Sequence, residues 1–77
     1  MEKDLVEYIA KSLVDDPSQV EVSAVEGEKS TMLELRVADG DIGKVIGKHG
    51  RIAKAIRTVL MAAAAKTGRH AALEILD

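Results

Sequence analysis

The sequence predicts a single α+β domain with the element order helix, strand, strand, helix, helix, strand. Two short segments alternate apolar and polar residues on either side of one turn, which is typical of paired strands. A long segment with apolar residues at helical spacing follows a glycine-bracketed turn, and a third alternating segment closes the chain. The length of 77 residues fits one domain. A core of this size is marginal, so burial through self-association would stabilise it.

The first half of the chain predicts a helix followed by a β-hairpin. Apolar side chains recur at i, i+4 spacing over residues 4–13, and the segment 15–18 ends this helix because Pro17 disfavours helix in the residue before it. A strand follows and a turn at residues 26–29 leads into a second strand. The alternating apolar positions of the two strands are Val20, Val22, Ala24, Leu33, Leu35 and Val37.

The second half predicts two helices and a last strand. A short helix covers residues 42–46 and a long one covers residues 51–66, while alternation over residues 70–76 indicates a strand. Asp39 and Asp41 are interpreted as turn and N-cap residues of the short helix. The long helix is expected to pack through Ile56, Val59, Leu60 and Ala63, with Ile52 at the margin and Arg51, Lys54 and Arg57 on the opposite side.

Charge is distributed unevenly along the chain. The net charge is −2, yet residues 42–73 contain seven basic residues and no acidic residue. A local positive field of this kind attracts a polyanion, while the acidic remainder limits indiscriminate binding. We therefore interpret the basic half as a functional surface. The basic residues are Lys44, Lys48, Arg51, Lys54, Arg57, Lys66 and Arg69.

The segment 47–50, Gly-Lys-His-Gly, is the strongest candidate for a binding site. Glycine tolerates positive φ and lets a ligand approach the main chain, so a phosphate could meet backbone amides at the start of the long helix. Lys48 and His49 add donors at the tip of the turn. A second segment with the same glycine spacing, 40–43, has an acidic centre that would repel phosphate, and we assign it a structural role.

Several function classes are disfavoured. Tyr8 is the only aromatic residue, which argues against binding modes that stack bases on aromatic platforms. No cysteine or paired-histidine motif indicates a metal site or a cofactor, and no catalytic signature is recognisable, so we expect a protein that is not an enzyme. The charged N-terminus and the absence of a long apolar run predict neither a signal peptide nor a membrane span, which points to the cytoplasm.

Two alternative functions stay open at this level. A helix, a glycine turn and a basic helix also describe a helix-turn-helix DNA reader, although the segment before the turn is short for a supporting helix. The third possibility is a pure dimerisation module. A low-relief surface where a partner could approach closely is formed by Ala55, Met61, Ala62 and Ala65. The cationic turn argues against a module that has lost nucleic-acid binding.

The whole chain resembles a KH domain of the type II arrangement, and its length and the segment 45–57 are similar to the bacterial single-domain KhpA family. The resemblance implies a three-stranded mixed sheet with three helices on one face and a G-x-x-G loop that clamps about four nucleotides of single-stranded RNA. It also implies homodimers, a larger KH-containing partner of the KhpB type, and an RNA-chaperone role affecting cell shape and envelope growth. The candidate RNA-binding residues are Lys44, Val45, Ile46, Gly47, Lys48, His49, Gly50, Arg51, Lys54 and Arg57.

One position departs from the KH pattern. Many KH domains have a large aliphatic residue three positions after the second loop glycine, where this chain has Ala53 beside Ile52. Either the helix lies closer to the sheet or Ile52 takes a place at the groove edge.

Overall fold

The computed structural model describes residues 1–76 and contains three α-helices and three β-strands in the predicted order. Short 3-10 turns cover residues Pro17–Gln19, Asp39–Asp41 and Lys48–Gly50. The predicted boundaries differ from the observed ones by one or two residues at most ends. The elements are α1 (Glu2–Leu13), β1 (Glu21–Glu26), β2 (Ser30–Arg36), α2 (Ile42–Ile46), α3 (Arg51–Ala65) and β3 (His70–Ile75).

The three strands form one mixed sheet in the order β1-β2-β3. β1 and β2 are antiparallel, with Val22 opposite Leu35, as expected for strands joined by a short turn. β2 and β3 are parallel, with Leu33 opposite Leu73. A parallel pair needs a long crossover, and the segment α2–α3 supplies it. The α+β fold of the type II KH domain is thereby confirmed.

The core lies between one face of the sheet and the helices. Leu33 and Leu35 of β2 have no exposed surface, and Val6 and Ala10 of α1 pack into the same cluster. The outward-facing side of the sheet is not covered by any described element, and Val25 and Met32 are exposed there. The helices thus cover one face of the sheet, and the loop between α2 and α3 lies on the helical side of the domain.

The predicted packing face of α3 was partly wrong. Ile56 and Leu60 are buried as expected, but Val59 is 48% exposed and the inner positions are completed by Ala53 and Ala64. All four buried residues repeat at i, i+3, i+4 spacing, so the helix is rotated toward β3 relative to the prediction. The buried positions Ala53 and Ala64 have small side chains, and Val59 lies on the outer side of the helix.

The first strand is also less buried than predicted. Val22 is buried, whereas Ala24, which was expected on the same inner face, is exposed. β1 is an edge strand, and only its beginning is covered by the helices.

No helix within residues 1–76 is both long and apolar enough to cross a bilayer.

Candidate nucleic-acid interface

The loop between α2 and α3 reverses the chain through three residues with positive φ. Gly47 ends α2 at φ 78° and ψ 170°, and Gly50 precedes α3 at φ 72° and ψ 15°. His49 lies between them in the left-handed region, at φ 59° and ψ 24°. Histidine is one of the non-glycine residues enriched in that region. The turn is therefore sharp, and its two central side chains, Lys48 and His49, are exposed.

The two loop glycines are needed for different reasons. A Cβ on Gly47 would lie 2.6 Å from Ile52 Cγ1 and 2.9 Å from the Ile52 backbone nitrogen, so steric contact and backbone conformation both exclude a side chain. Around Gly50 a Cβ would meet no atom within 4 Å, so only its left-handed conformation favours glycine. Gly47 thus allows the loop to pack closely on α3, and Gly50 allows the chain to turn from the loop into that helix.

Part of the loop backbone is already hydrogen-bonded internally. The Gly47 amide donates to the Gly43 carbonyl at 2.8 Å, and the Gly50 amide donates to the Gly47 carbonyl at 3.1 Å. The Arg51 amide likewise donates to the Lys48 carbonyl. In the described part of the chain, the amides of Lys48 and His49 have no acceptor. The amides of Gly47, Gly50 and Arg51 are therefore already used within the chain and are not available to a phosphate.

The charges around the loop are unpaired on the side of α3. Within residues 1–76, no carboxylate lies within 4.0 Å of the cationic groups of Lys48, Arg51, Lys54 or Arg57. All four residues are exposed. A polyanion that approached the loop would thus meet a cationic surface without displacing an internal partner.

Lys44, a predicted RNA-binding residue, forms ion pairs with two carboxylates of the same chain. Its Nζ lies 3.2 Å from Asp15 Oδ2 and 3.5 Å from Asp41 Oδ1. The hydrogen bond and charge of Asp15 are the main reasons why the pKa of Lys44 is raised, and Asp41 adds to the effect. A phosphate would have to compete with these two carboxylates for the ammonium group, and the RNA contact of Lys44 stays a prediction.

Asp41 has a role that the sequence did not reveal. It precedes α2, but its carboxylate makes no capping bond to that helix; it accepts the amides of Asp15 at 3.2 Å and Asp16 at 3.0 Å. Burial alone would raise the pKa of Asp41, yet the two amide hydrogen bonds and Lys44 hold it below its ordinary value. Asp41 therefore ties the segment after α1 to the start of α2. No local signal marks a contact across 25 residues.

Arg57 is anchored to the outer edge of the sheet. Its Nε donates to the Leu73 carbonyl at 3.2 Å. The His70 amide donates to the carbonyl of Lys29, the residue just before β2, and the Leu76 amide donates to the carbonyl of Leu35 in β2. By the alternation of a parallel ladder, the backbone groups of Leu73 point away from β2. The guanidinium of Arg57 therefore bridges α3 and the free edge of β3.

The apolar residues predicted to form a groove floor differ in exposure. Val45 has no exposed surface and belongs to the core, so its side chain cannot meet a ligand directly in this structure; this part of the prediction requires correction. Ile46 is 36% exposed and keeps an accessible surface beside the loop. Ala53 faces the core, whereas Ile52 is partly buried beneath Gly47. At the position that departs from the KH pattern, the small side chain of Ala53 is thus the buried one.

Comparison with known proteins identifies the family. The family model for the KH domain of KhpA/KhpB matches residues 3–75. "RNA-binding protein KhpA" of Borreliella burgdorferi is 60% identical over 76 residues, covering 99% of this chain and 93% of that protein. The protein of the same name from Clostridium acetobutylicum is 62% identical over 74 residues, covering 96% and 99%.

Solved structures support the same fold. A crystal structure of Aquifex aeolicus Era with GDP·AlF4⁻ superposes with a TM-score of 0.69 at 21% identity, and one of Era with MgGDPNP and a segment of 16S ribosomal RNA with 0.68 at 22%. The matches cover 96% of this chain but only 29% and 28% of the Era chains, and they concern the fold alone. From the near-complete matches in sequence, this chain belongs to the KhpA/KhpB KH-domain family.

Proposed function

We propose that this protein binds single-stranded RNA through the loop 47–50 and the adjoining face of α3. The observation that carries the proposal is the exposed pair Lys48 and His49, whose side chains and amides have no internal partner among the described residues. The sugar-phosphate backbone follows the turn, and Arg51 and Lys54 extend the cationic surface along the helix. The relatives in Borreliella burgdorferi and Clostridium acetobutylicum bear the name RNA-binding protein KhpA, which supports this choice of ligand.

Duplex DNA binding of the helix-turn-helix type is less well supported. α2 has five residues, which makes it too short to act as the supporting helix of that motif. A pure dimerisation module would have no use for the unpaired loop cations. We therefore keep single-stranded RNA as the proposed ligand.

A charge-reversal variant of the loop tests this function. Lys48→Asp combined with His49→Asp is expected to weaken binding of a fluorescent single-stranded RNA at least about 100-fold, equivalent to about 3 kcal/mol. Aspartate tolerates the left-handed conformation of His49, so the fold should be retained. Lys66→Asp combined with His70→Asp makes the same charge change on exposed residues away from the loop and should bind almost normally. Equal losses in the two variants would refute a loop-specific site.

We also propose that a second copy of the chain packs on the groove between α1 and α3. Leu13 is 37% exposed and Val59 is 48% exposed at this groove, and a domain of this size gains stability from further apolar burial. Its lining is apolar except for Arg51, which as the first residue of α3 lies at the loop end of the groove, next to the proposed RNA site; the lining residues are Ile9, Leu13, Arg51, Ile52, Ala55, Ile56 and Val59. A dimer would place two loops on one RNA and raise affinity by avidity.

The dimer is tested by Val59→Asp, with Val25→Asp as a control on the open face of the sheet. Light scattering coupled to gel filtration should show a dimer for the wild-type chain and for the Val25 variant, and a monomer for the Val59 variant. A dimer that survives Val59→Asp would place the interface elsewhere.

The cellular role we propose rests on family membership. The protein acts in the cytoplasm as an RNA chaperone or post-transcriptional regulator, together with a larger KH-containing partner of the KhpB type. Cell shape and envelope growth are the processes it would affect. Crosslinking in cells, with sequencing of attached transcripts and identification of co-purified protein, tests this role. The loop double variant should lose the transcripts, and transcripts unchanged by it would contradict the proposal.

A further inference from the structure

Arg57 differs from the other unpaired basic residues near the loop because its guanidinium is fixed. Its Nε is bound to the Leu73 carbonyl at 3.2 Å, whereas Lys48, Arg51 and Lys54 make no side-chain hydrogen bond or ion pair through their cationic groups to described residues. A flexible ammonium group suits neutralisation of a moving phosphate. A guanidinium held at one nitrogen presents its two remaining nitrogens in a set direction. This geometry suits recognition of a particular pair of acceptors.

Arg57 lies on α3 between the loop and the free edge of β3. It follows Gly50 by seven residues, which is about 10 Å along the helix axis. It also borders the buried residues Ala53 and Leu60 of α3 and reaches the free edge of β3. If the phosphates of a bound strand follow the loop, its bases can come within reach of Arg57, and unstacked bases of single-stranded RNA are recognised by hydrogen bonds on their edges.

We propose that Arg57 selects a base that offers two adjacent acceptors, an inference that rests on the proposed binding of single-stranded RNA at this loop. Guanine offers O6 and N7, the pair that arginine binds most often in specific contacts. Cytosine offers O2 and N3. In adenine the corresponding acceptor is beside an amino donor, and in uracil the two carbonyls are separated by N3–H, so neither base can accept both N–H groups. Arg57 therefore favours guanine or cytosine over adenine and uracil at one position of the strand.

The contact is tested with octamers of uridine in which one central position is changed to guanosine, cytidine, adenosine or 7-deazaguanosine. The wild-type chain should bind the guanosine or the cytidine octamer about tenfold more tightly than the adenosine and all-uridine octamers. If guanosine is the preferred base, loss of the preference with 7-deazaguanosine identifies N7 as one acceptor. If cytidine alone is preferred, O2 and N3 are the acceptors. Equal binding of all octamers would overturn the inference.

Two variants separate base selection from phosphate contact. Arg57→Lys keeps the charge but loses the fork and the bond from Nε, so the preference should fall to less than about twofold while the dependence of affinity on salt is unchanged. Lys54→Gln should weaken all octamers equally and lower the salt slope by about 0.7. Circular dichroism melting confirms that both variants are folded. A preference that survives Arg57→Lys, or an equal loss for every octamer, would refute base selection by Arg57.

The loop double variant, Lys48→Asp with His49→Asp, distinguishes the two levels of the proposal. If it abolishes binding while the wild-type chain binds every octamer equally, the loop site stands and the role of Arg57 fails. If the wild-type chain binds no octamer, or if the double variant binds as the wild type does, the loop site and the role of Arg57 both fail. A base preference lost in Arg57→Lys, together with binding lost in the double variant, supports both.

Discussion

Replacement of Gly47 by alanine should be the most damaging small change in the loop. The added Cβ would lie 2.6 Å from Ile52 Cγ1, 2.9 Å from Ile52 Cβ and 2.9 Å from the Ile52 backbone nitrogen. The isoleucine terminus could rotate away, but the backbone nitrogen belongs to the first turn of α3 and cannot. The backbone at φ 78° and ψ 170° also lies in a region that is nearly exclusive to glycine.

These two effects set the size of the expected loss. The backbone conformation costs on the order of 1–3 kcal/mol for a residue with a side chain. Overpacking against Ile52 adds about 1–3 kcal/mol. Gly50→Ala is the matched control, because its Cβ meets no atom within 4 Å and only the left-handed conformation costs about 1–2 kcal/mol. Gly47→Ala should therefore reduce the free energy of unfolding by about 2 kcal/mol more than Gly50→Ala.

Urea unfolding followed by circular dichroism at the helix band measures this difference, since the chain has no tryptophan. For a domain of this size, the melting temperature of Gly47→Ala should lie about 8–16 °C below that of Gly50→Ala. Equal stabilities for the two variants would refute the close contact between Gly47 and Ile52. That result would also remove the reason for assigning different roles to Gly47 and Gly50.

Three further outcomes are expected. The pKa of Asp41 is lowered in the folded state, so its carboxylate adds stability that is present above the ordinary value of 3.8 and is lost as pH falls through the folded-state pKa. Asp41→Asn should therefore be less stable than the wild type at neutral pH, and the urea midpoints of the two proteins should converge in acid. A gap between the midpoints that stays constant with pH would contradict this. Lys48→Gln should lower the salt slope of RNA binding by about 0.7, while Lys44→Gln changes it little because Lys44 is already paired; equal slopes would argue against this difference. Leu33→Ala should cost about 2–5 kcal/mol in urea unfolding, because Leu33 is fully buried, and a loss below about 1 kcal/mol would contradict its place in the core.

Local patterns in the sequence were sufficient to predict the elements and the loop. Apolar periodicity depends only on near neighbours, and it located α1, both hairpin strands and α3. The resemblance to KH domains supplied the parallel pairing of β2 and β3, which periodicity alone does not determine. The turn at 47–50 was predictable because glycine at two positions reports a backbone conformation directly.

The corrections all depend on how the elements dock. Lys44 and Asp41 lie close to the loop in sequence, but each has partners in the segment after α1, so these contacts could not be predicted from neighbouring residues. Val59 satisfies the helical spacing of a core residue, yet α3 is rotated so that Ala53 takes the inner position. The bond from Arg57 to the Leu73 carbonyl likewise exists only because α3 packs against β3.

The central claim is that the exposed centre of the loop meets RNA, and amide chemical shifts of the isotope-labelled protein test it most directly. On titration with a single-stranded RNA octamer, the amides of Lys48 and His49 should show the largest changes, with smaller changes along the start of α3. Residues of the open sheet face, such as Val25 and Met32, should change little. Large shifts confined to the sheet face, with a silent loop, would contradict the account.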